Sequence, residues 1–105
     1  MGLKLFWTDF AVIQIENIYT YYKEIANKRI AKKIINEIYS TPQILINQPK
    51  IGQIEKLLID RDQDFRYLIT KHFKIIYWIS LNKHQIEIVD VFDTMQNPIK
   101  IQINK

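Results

Sequence analysis

The sequence predicts an α+β fold of two layers, a helical hairpin packed on one face of an antiparallel sheet. Three observations carry this. Apolar residues recur at spacings of three and four from Ala11 to Ile38, then at a spacing of two from Ile54 onward. The later apolar runs are joined by connections of two or three residues, the spacing of an antiparallel meander. With 105 residues, 48% of them hydrophobic, the chain has material for one core and not for two, so residues 1–105 read as a single domain.

The element order follows as β-α-α-β-β-β-β. Leu3, Leu5 and Trp7 alternate with Lys4 and Phe6, a short strand. Thr8 is an N-cap and Asp9 suits the positive end of the helix dipole, so the first helix begins there. Ala11, Ile15, Ile18, Tyr22 and Ile25 share its inward face, and Phe10, Val12, Ile13, Tyr19 and Tyr21 widen the apolar surface beyond one stripe. Asn27 caps a second helix with Ile30, Ile34 and Ile38 as its inward row and Ala31 and Ile35 beside it. Lys28, Arg29, Lys32 and Lys33 crowd its first turns and read as a solvated basic face. Thr41-Pro42 breaks the pattern, with Thr41 capping a short extension to Ile46. Gln48-Pro49-Lys50-Ile51-Gly52 is a loop.

Ile54–Ile59 reads as a strand, followed by the polar loop Asp60–Asp64. Phe65–Thr70 and Phe73–Leu81 form a hairpin across Lys71-His72, with Phe73, Ile75, Tyr77 and Ile79 on one face and Lys74, Ile76, Trp78 and Ser80 on the other. Asn82-Lys83-His84 leads into the last strand, Gln85–Phe92.

Composition narrows the function. A formal charge of +4 and a pI near 9.3 favour contact with an anionic surface. The absence of cysteine excludes a disulfide framework and cysteine-ligated zinc. No leader pattern opens the chain and no apolar run reaches the ~18 residues that span a bilayer, so a cytoplasmic protein without membrane contact is expected. No nucleophile elbow or phosphate-binding glycine loop is present, and His72 and His84 lack partners at metal-ligand spacing; both read as exposed turn residues. No metal and no cofactor are expected, and no residue is assigned as catalytic.

One group remains. If the hairpins are regular, Arg66 and Lys74 lie near the polar segment Asp93, Thr94, Met95 and Gln96 that ends the last strand, gathering cations as a phosphate-binding surface requires. Lys71 and Lys100 join them as candidate contacts. Tyr77 or Asp93 could be asked to move a proton, although Tyr77 sits on the apolar row.

The segments WTDFA, QPKIG, FRYLITKHFKIIYWI and VFDTMQNP, with the helical hairpin between the first two, resemble in order and spacing the RelE/ParE family of bacterial toxins over nearly the whole chain. The resemblance implies the two-layer fold read above. It also implies the toxin of a type II toxin–antitoxin module, of the kind tied to growth inhibition and plasmid stabilisation, neutralised by a cognate antitoxin protein in a hetero-oligomer. Arg66 matches the arginine that opens the family's central hairpin. Lys74 stands where RelE-like relatives usually carry arginine and Met95 where related chains often carry it, and neither offers that residue's two-pronged hydrogen bonding to phosphate. With no complete acid–base set, ParE-like binding of DNA gyrase is preferred. The alternatives are a RelE-like endoribonuclease acting on mRNA at the ribosome, and a non-toxic member that still binds its antitoxin. The wide apolar surface of the first helix leads us to expect the antitoxin over the helical hairpin or the adjoining sheet face.

Overall fold

Alternation of apolar and polar side chains builds the sheet, and a computed structural model describes it for residues 2–95. The elements are β1 (Lys4–Trp7), α1 (Asp9–Ile25), α2 (Lys28–Ser40), a 3₁₀ segment (Thr41–Ile46), β2 (Gln53–Ile54), a 3₁₀ turn (Lys56–Leu58), β3 (Arg66–Thr70), β4 (Phe73–Ser80) and β5 (Gln85–Asp93). They form a sheet of order β1-β5-β4-β3-β2 with α1 and α2 against one face. The meander β2 to β5 is antiparallel, as expected. The sheet as a whole is mixed, because β1 lies parallel to β5, Lys4 opposite Gln85 and Trp7 opposite Ile88. The α1–α2 hairpin is the crossover that carries the chain from β1 to the meander, and such a connection lets β1 join β5 in parallel.

Both predicted caps are formed. Thr8 Oγ1 accepts from the Ala11 N–H at 3.1 Å, and Asn27 Oδ1 accepts from the Ile30 N–H at 2.9 Å. Each such cap is worth ~1 kcal/mol. The main core lies between helices and sheet, with Ala11, Ile15, Ile18, Ile38, Leu45, Phe73, Ile75, Tyr77, Ile86, Ile88 and Val91 buried together. β4 divides as its alternation requires: Ile76 and Trp78 face the other way and join Leu58, Phe65, Val89 and Tyr67 in a smaller cluster.

Four expectations need correction. Ile30 is exposed, and the buried residues of α2 are instead Ala31 and Ile38, flanked by the half-buried Ile34 and Ile35, so the inward face is rotated from the expected row. Ile25 is likewise exposed. Thr41 does not cap the extension, since its hydroxyl donates back to the Glu37 carbonyl at 2.7 Å. Ile54–Ile59 is not a strand. Pairing stops after Ile54 because the Glu55 carboxylate turns inward and accepts from the Leu57 N–H at 3.1 Å, winding Lys56–Leu58 into a 3₁₀ turn that delivers Leu58 to the smaller cluster.

Candidate functional site

The Lys71-His72 turn and the end of β5 come together at one end of the sheet. Thr94 donates twice to the His72 carbonyl, from its N–H at 2.9 Å and its hydroxyl at 2.8 Å. That grip holds Lys71 at φ 55°, a left-handed conformation that costs a side-chain-bearing residue strain. Lys71 is exposed and its ammonium meets Glu37 of α2 at 3.0 Å. Met95 is 75% exposed, and its N–H donates to Asp93 Oδ1 at 2.9 Å. The polar segment ending β5 is thus a rim with the methionine side chain displayed on it.

Beneath the rim lies a cluster that sequence reasoning missed. Asp93 is buried, yet a carboxylate there needs donors. Tyr22 of α1 supplies its hydroxyl proton to Asp93 Oδ2, and His72 Nε2 lies 3.1 Å from the Tyr22 oxygen and 3.5 Å from Asp93 Oδ1. A phenol has one proton to give, so with Tyr22 donating to Asp93 the His72 nitrogen must be the donor at the Tyr22–His72 contact. Burial, then the hydrogen bond and charge of Asp93, then Tyr21 nearby, all push the Tyr22 hydroxyl well above its ordinary pKa. His72 thus occupies the turn as expected but is half-buried and bonded. The signal available in the sequence was a tyrosine on the inward face of α1, which period alone assigns to packing. A groove of about 420 Å³ opens beside this cluster, between Gln14, Asn17 and Tyr21 of α1 and Val91 to Asp93 of β5.

The other predicted cations are elsewhere. Arg66 opens β3 opposite Tyr77, at the far end of that strand from the Lys71-His72 turn, roughly 13 Å of extended chain away. Lys74 is opposite Phe92 and Ile69, on the face that Ile76 shares, so the two do not converge. Each is also engaged. Arg66 donates to the carbonyls of Gly52 at 3.0 Å and Lys50 at 3.3 Å and to Asp64 at 3.1 Å, fastening the Gln48–Gly52 loop. Lys74 pairs with the buried Glu55 carboxylate and lies 4.2 Å from the centre of the Tyr67 ring. Tyr77 is fully buried; its hydroxyl donates to the Pro49 carbonyl at 2.7 Å and accepts from the Gly52 N–H at 3.0 Å, and burial raises its pKa. A Cβ at Gly52 would collide with that ring and lie 2.8 Å from the Tyr67 carbonyl, so only glycine fits there. Tyr77 is a core residue whose hydroxyl proton is engaged by the Pro49 carbonyl. Gln96 and Lys100 lie outside the described residues.

A family model described as the ParE toxin of the type II toxin–antitoxin system, parDE, matches residues 5–98. The chain belongs to this family. It is a toxin of a type II toxin–antitoxin system, as the motif order implied. Among solved structures it is similar to a chain of the chromosomal ParDE toxin–antitoxin system from P. aeruginosa, with 18% identity, a TM-score of 0.71, and coverage of 88% of this chain and 96% of that one. It is also similar to a chain of the toxin–antitoxin complex RelBE2 from Mycobacterium tuberculosis, with 13% identity, a TM-score of 0.57, and coverage of 89% and 99%. At these identities the likeness is one of fold. Among curated proteins no sequence matches. The ParE-family chain has, among its described residues, no group of acidic or histidine side chains placed to hold a metal and no helix long and apolar enough to cross a membrane.

Proposed function

We propose that this ParE-family toxin arrests bacterial growth by binding its target, DNA gyrase, in the cytoplasm, and that a cognate antitoxin neutralises it in a hetero-oligomer. The observation that carries the reading is the disposition of the sheet cations. Cleaving RNA through its 2′-hydroxyl requires a cation free to meet the pentacoordinate phosphate beside an acid and a base. Lys74 faces Glu55 and Arg66 faces Asp64 and two carbonyls, on different faces of the sheet. Binding needs only a shaped surface, and the rim of Lys71, Thr94 and Met95 supplies one. Of the two similar structures, one belongs to a ParDE toxin–antitoxin system and the other is a RelBE2 toxin–antitoxin complex, which supports the antitoxin partner.

The second reading, ribosome-dependent mRNA cleavage, is favoured by one feature, the Tyr22–Asp93–His72 cluster, which places proton-carrying groups beside an exposed rim with Lys71. Inducing the toxin alone separates the two. Filamentation with a DNA-damage response supports gyrase; rapid translational arrest with cleaved messages sinks that target and selects the ribosome. Co-expression with the product of the adjacent reading frame should restore growth and yield a co-purifying complex; the absence of both effects would count against the antitoxin.

A further inference from the structure

β5 outlasts its neighbour. Residues Lys4–Trp7 of β1 pair with Gln85–Ile88, while β5 runs on to Asp93, so among the described residues Val89 to Asp93 have no strand partner on that side. An open strand edge is a template for another extended segment. This edge is also one wall of the groove of about 420 Å³, and Gln14, Asn17, Ile18 and Tyr21 of α1 form the other. The lining suits an extended chain: the amides of Gln14 and Asn17 can meet a backbone, and Ile18, Tyr21 and Val91 can meet apolar side chains. The described residues end at Met95, just past the groove-lining Asp93. The sequence that follows carries the matching pattern. Ile99, Ile101 and Ile103 alternate with Lys100, Gln102 and Asn104, the period of a half-buried strand. Five residues, Thr94 to Pro98, separate this run from β5, a hairpin-loop length.

We infer that the toxin's own segment Ile99 to Ile103 docks antiparallel along the open edge of β5 and fills the groove with Ile99 and Ile101. The loop length fixes the register, with Ile99 opposite Asp93 and Ile101 opposite Val91. Residues directly opposite share a face of the sheet. Val91 and Asp93 pair with Ile75 and Phe73 on the helix side, so both isoleucines meet the groove. Lys100 falls opposite Phe92, which pairs with Lys74, and so lies on the other face. The rim of Thr94 and Met95 is then the loop of a hairpin, held from both of its ends. The tether selects this occupant. A short linker holds its segment at the edge at an effective concentration on the order of mM, which a second copy in solution does not reach.

The test is NMR and amide hydrogen exchange on the full-length toxin made by cell-free synthesis. Methyl contacts should join Ile101 to Ile18 and Val91, with none from the side chain of Lys100 to α1. Amide exchange across Ile99 to Ile103 should be slowed about tenfold or more relative to the Ile99→Ser, Ile101→Ser variant, because that variant leaves the segment in water. The buried amides of β4 should exchange alike in both proteins, which shows that the variant is folded. Three results overturn the inference. One is fast exchange across Ile99 to Ile103 in the original chain, with no contact to the groove. Another is equal protection in the original and the serine variant, since the isoleucines then do not seat the segment. The last is methyl contacts found only between labelled and unlabelled molecules of a mixed sample, because the occupant is then a second copy. None of these readouts depends on the target or the antitoxin, so the inference stands or falls apart from the gyrase reading.

Discussion

Lys74 and Lys32 are both lysines in regular secondary structure, yet one is fixed between the Glu55 carboxylate and the Tyr67 ring while the other meets only solvent. The same contrast separates their regions. Along the sheet, Arg66, Lys71 and Lys74 each answer a carboxylate, and two of them hold loops in place. Along the start of α2, four cations repel one another with no answer at all. Arg66 and Lys74 are therefore structural and the charge at the start of α2 is available, although each of these cations counts alike in the net charge of +4.

The largest test of this contrast is at Glu55. Its removal, as Glu55→Leu, leaves the Lys74 ammonium without its partner in a mostly buried place, and unfolding in urea should show a loss of about 3–5 kcal/mol. Pairing that change with Lys74→Met should recover most of the loss; a double variant no better than the single one would break the claim that the pair acts as a unit. Next come the loop fasteners. Arg66→Ala and Tyr77→Phe each strand buried backbone groups of the Gln48–Gly52 segment and should each cost about 2 kcal/mol in the same measurement.

A smaller effect is expected from pH. Burial raises the hydroxyl pKa of Tyr22, Tyr39 and Tyr77, reinforced by Asp93 at Tyr22 and Glu16 at Tyr39 and opposed at Tyr77 by the Gly52 N–H and Arg66. The unfolded chain releases these protons from about pH 10, before the folded chain does, so the folded state then holds more protons and stability falls as pH rises through that window. Tyr22→Phe should flatten part of that alkaline fall, read as melting temperature against pH. The smallest effect belongs to α2. Lys28→Gln with Lys32→Gln should leave the melting temperature unchanged or slightly raised at low salt, since it relieves repulsion; a clear drop would mean these lysines have structural partners after all.

Much of the fold was legible because its signals are local. Thr8 and Asn27 cap as read, and the two faces of β4 divide as alternation requires. What escaped depends on side chains distant in sequence. Nothing near Glu55 announces that it will face Lys74, and that turn of the carboxylate replaced an expected strand. The rim was half legible: its polar residues stand together, and Lys71 joins them across the turn. Arg66 and Lys74 could not be placed from pattern, because faces are assigned only once register is known, and the register puts them apart. Tyr22 and His72, fifty residues apart, meet only in the folded chain.

The central claim, that Arg66 and Lys74 hold the fold and do not act on the target, is tested most directly by growth arrest. The toxin and its Glu55→Leu, Lys74→Met variant would be induced alone at matched levels of folded protein. The account predicts that the variant, whose charged pair is gone, still arrests growth to within about threefold of the original, since a packed apolar replacement keeps the surface intact. A folded variant on which cells grow freely would contradict it and return Lys74 to the reacting phosphate.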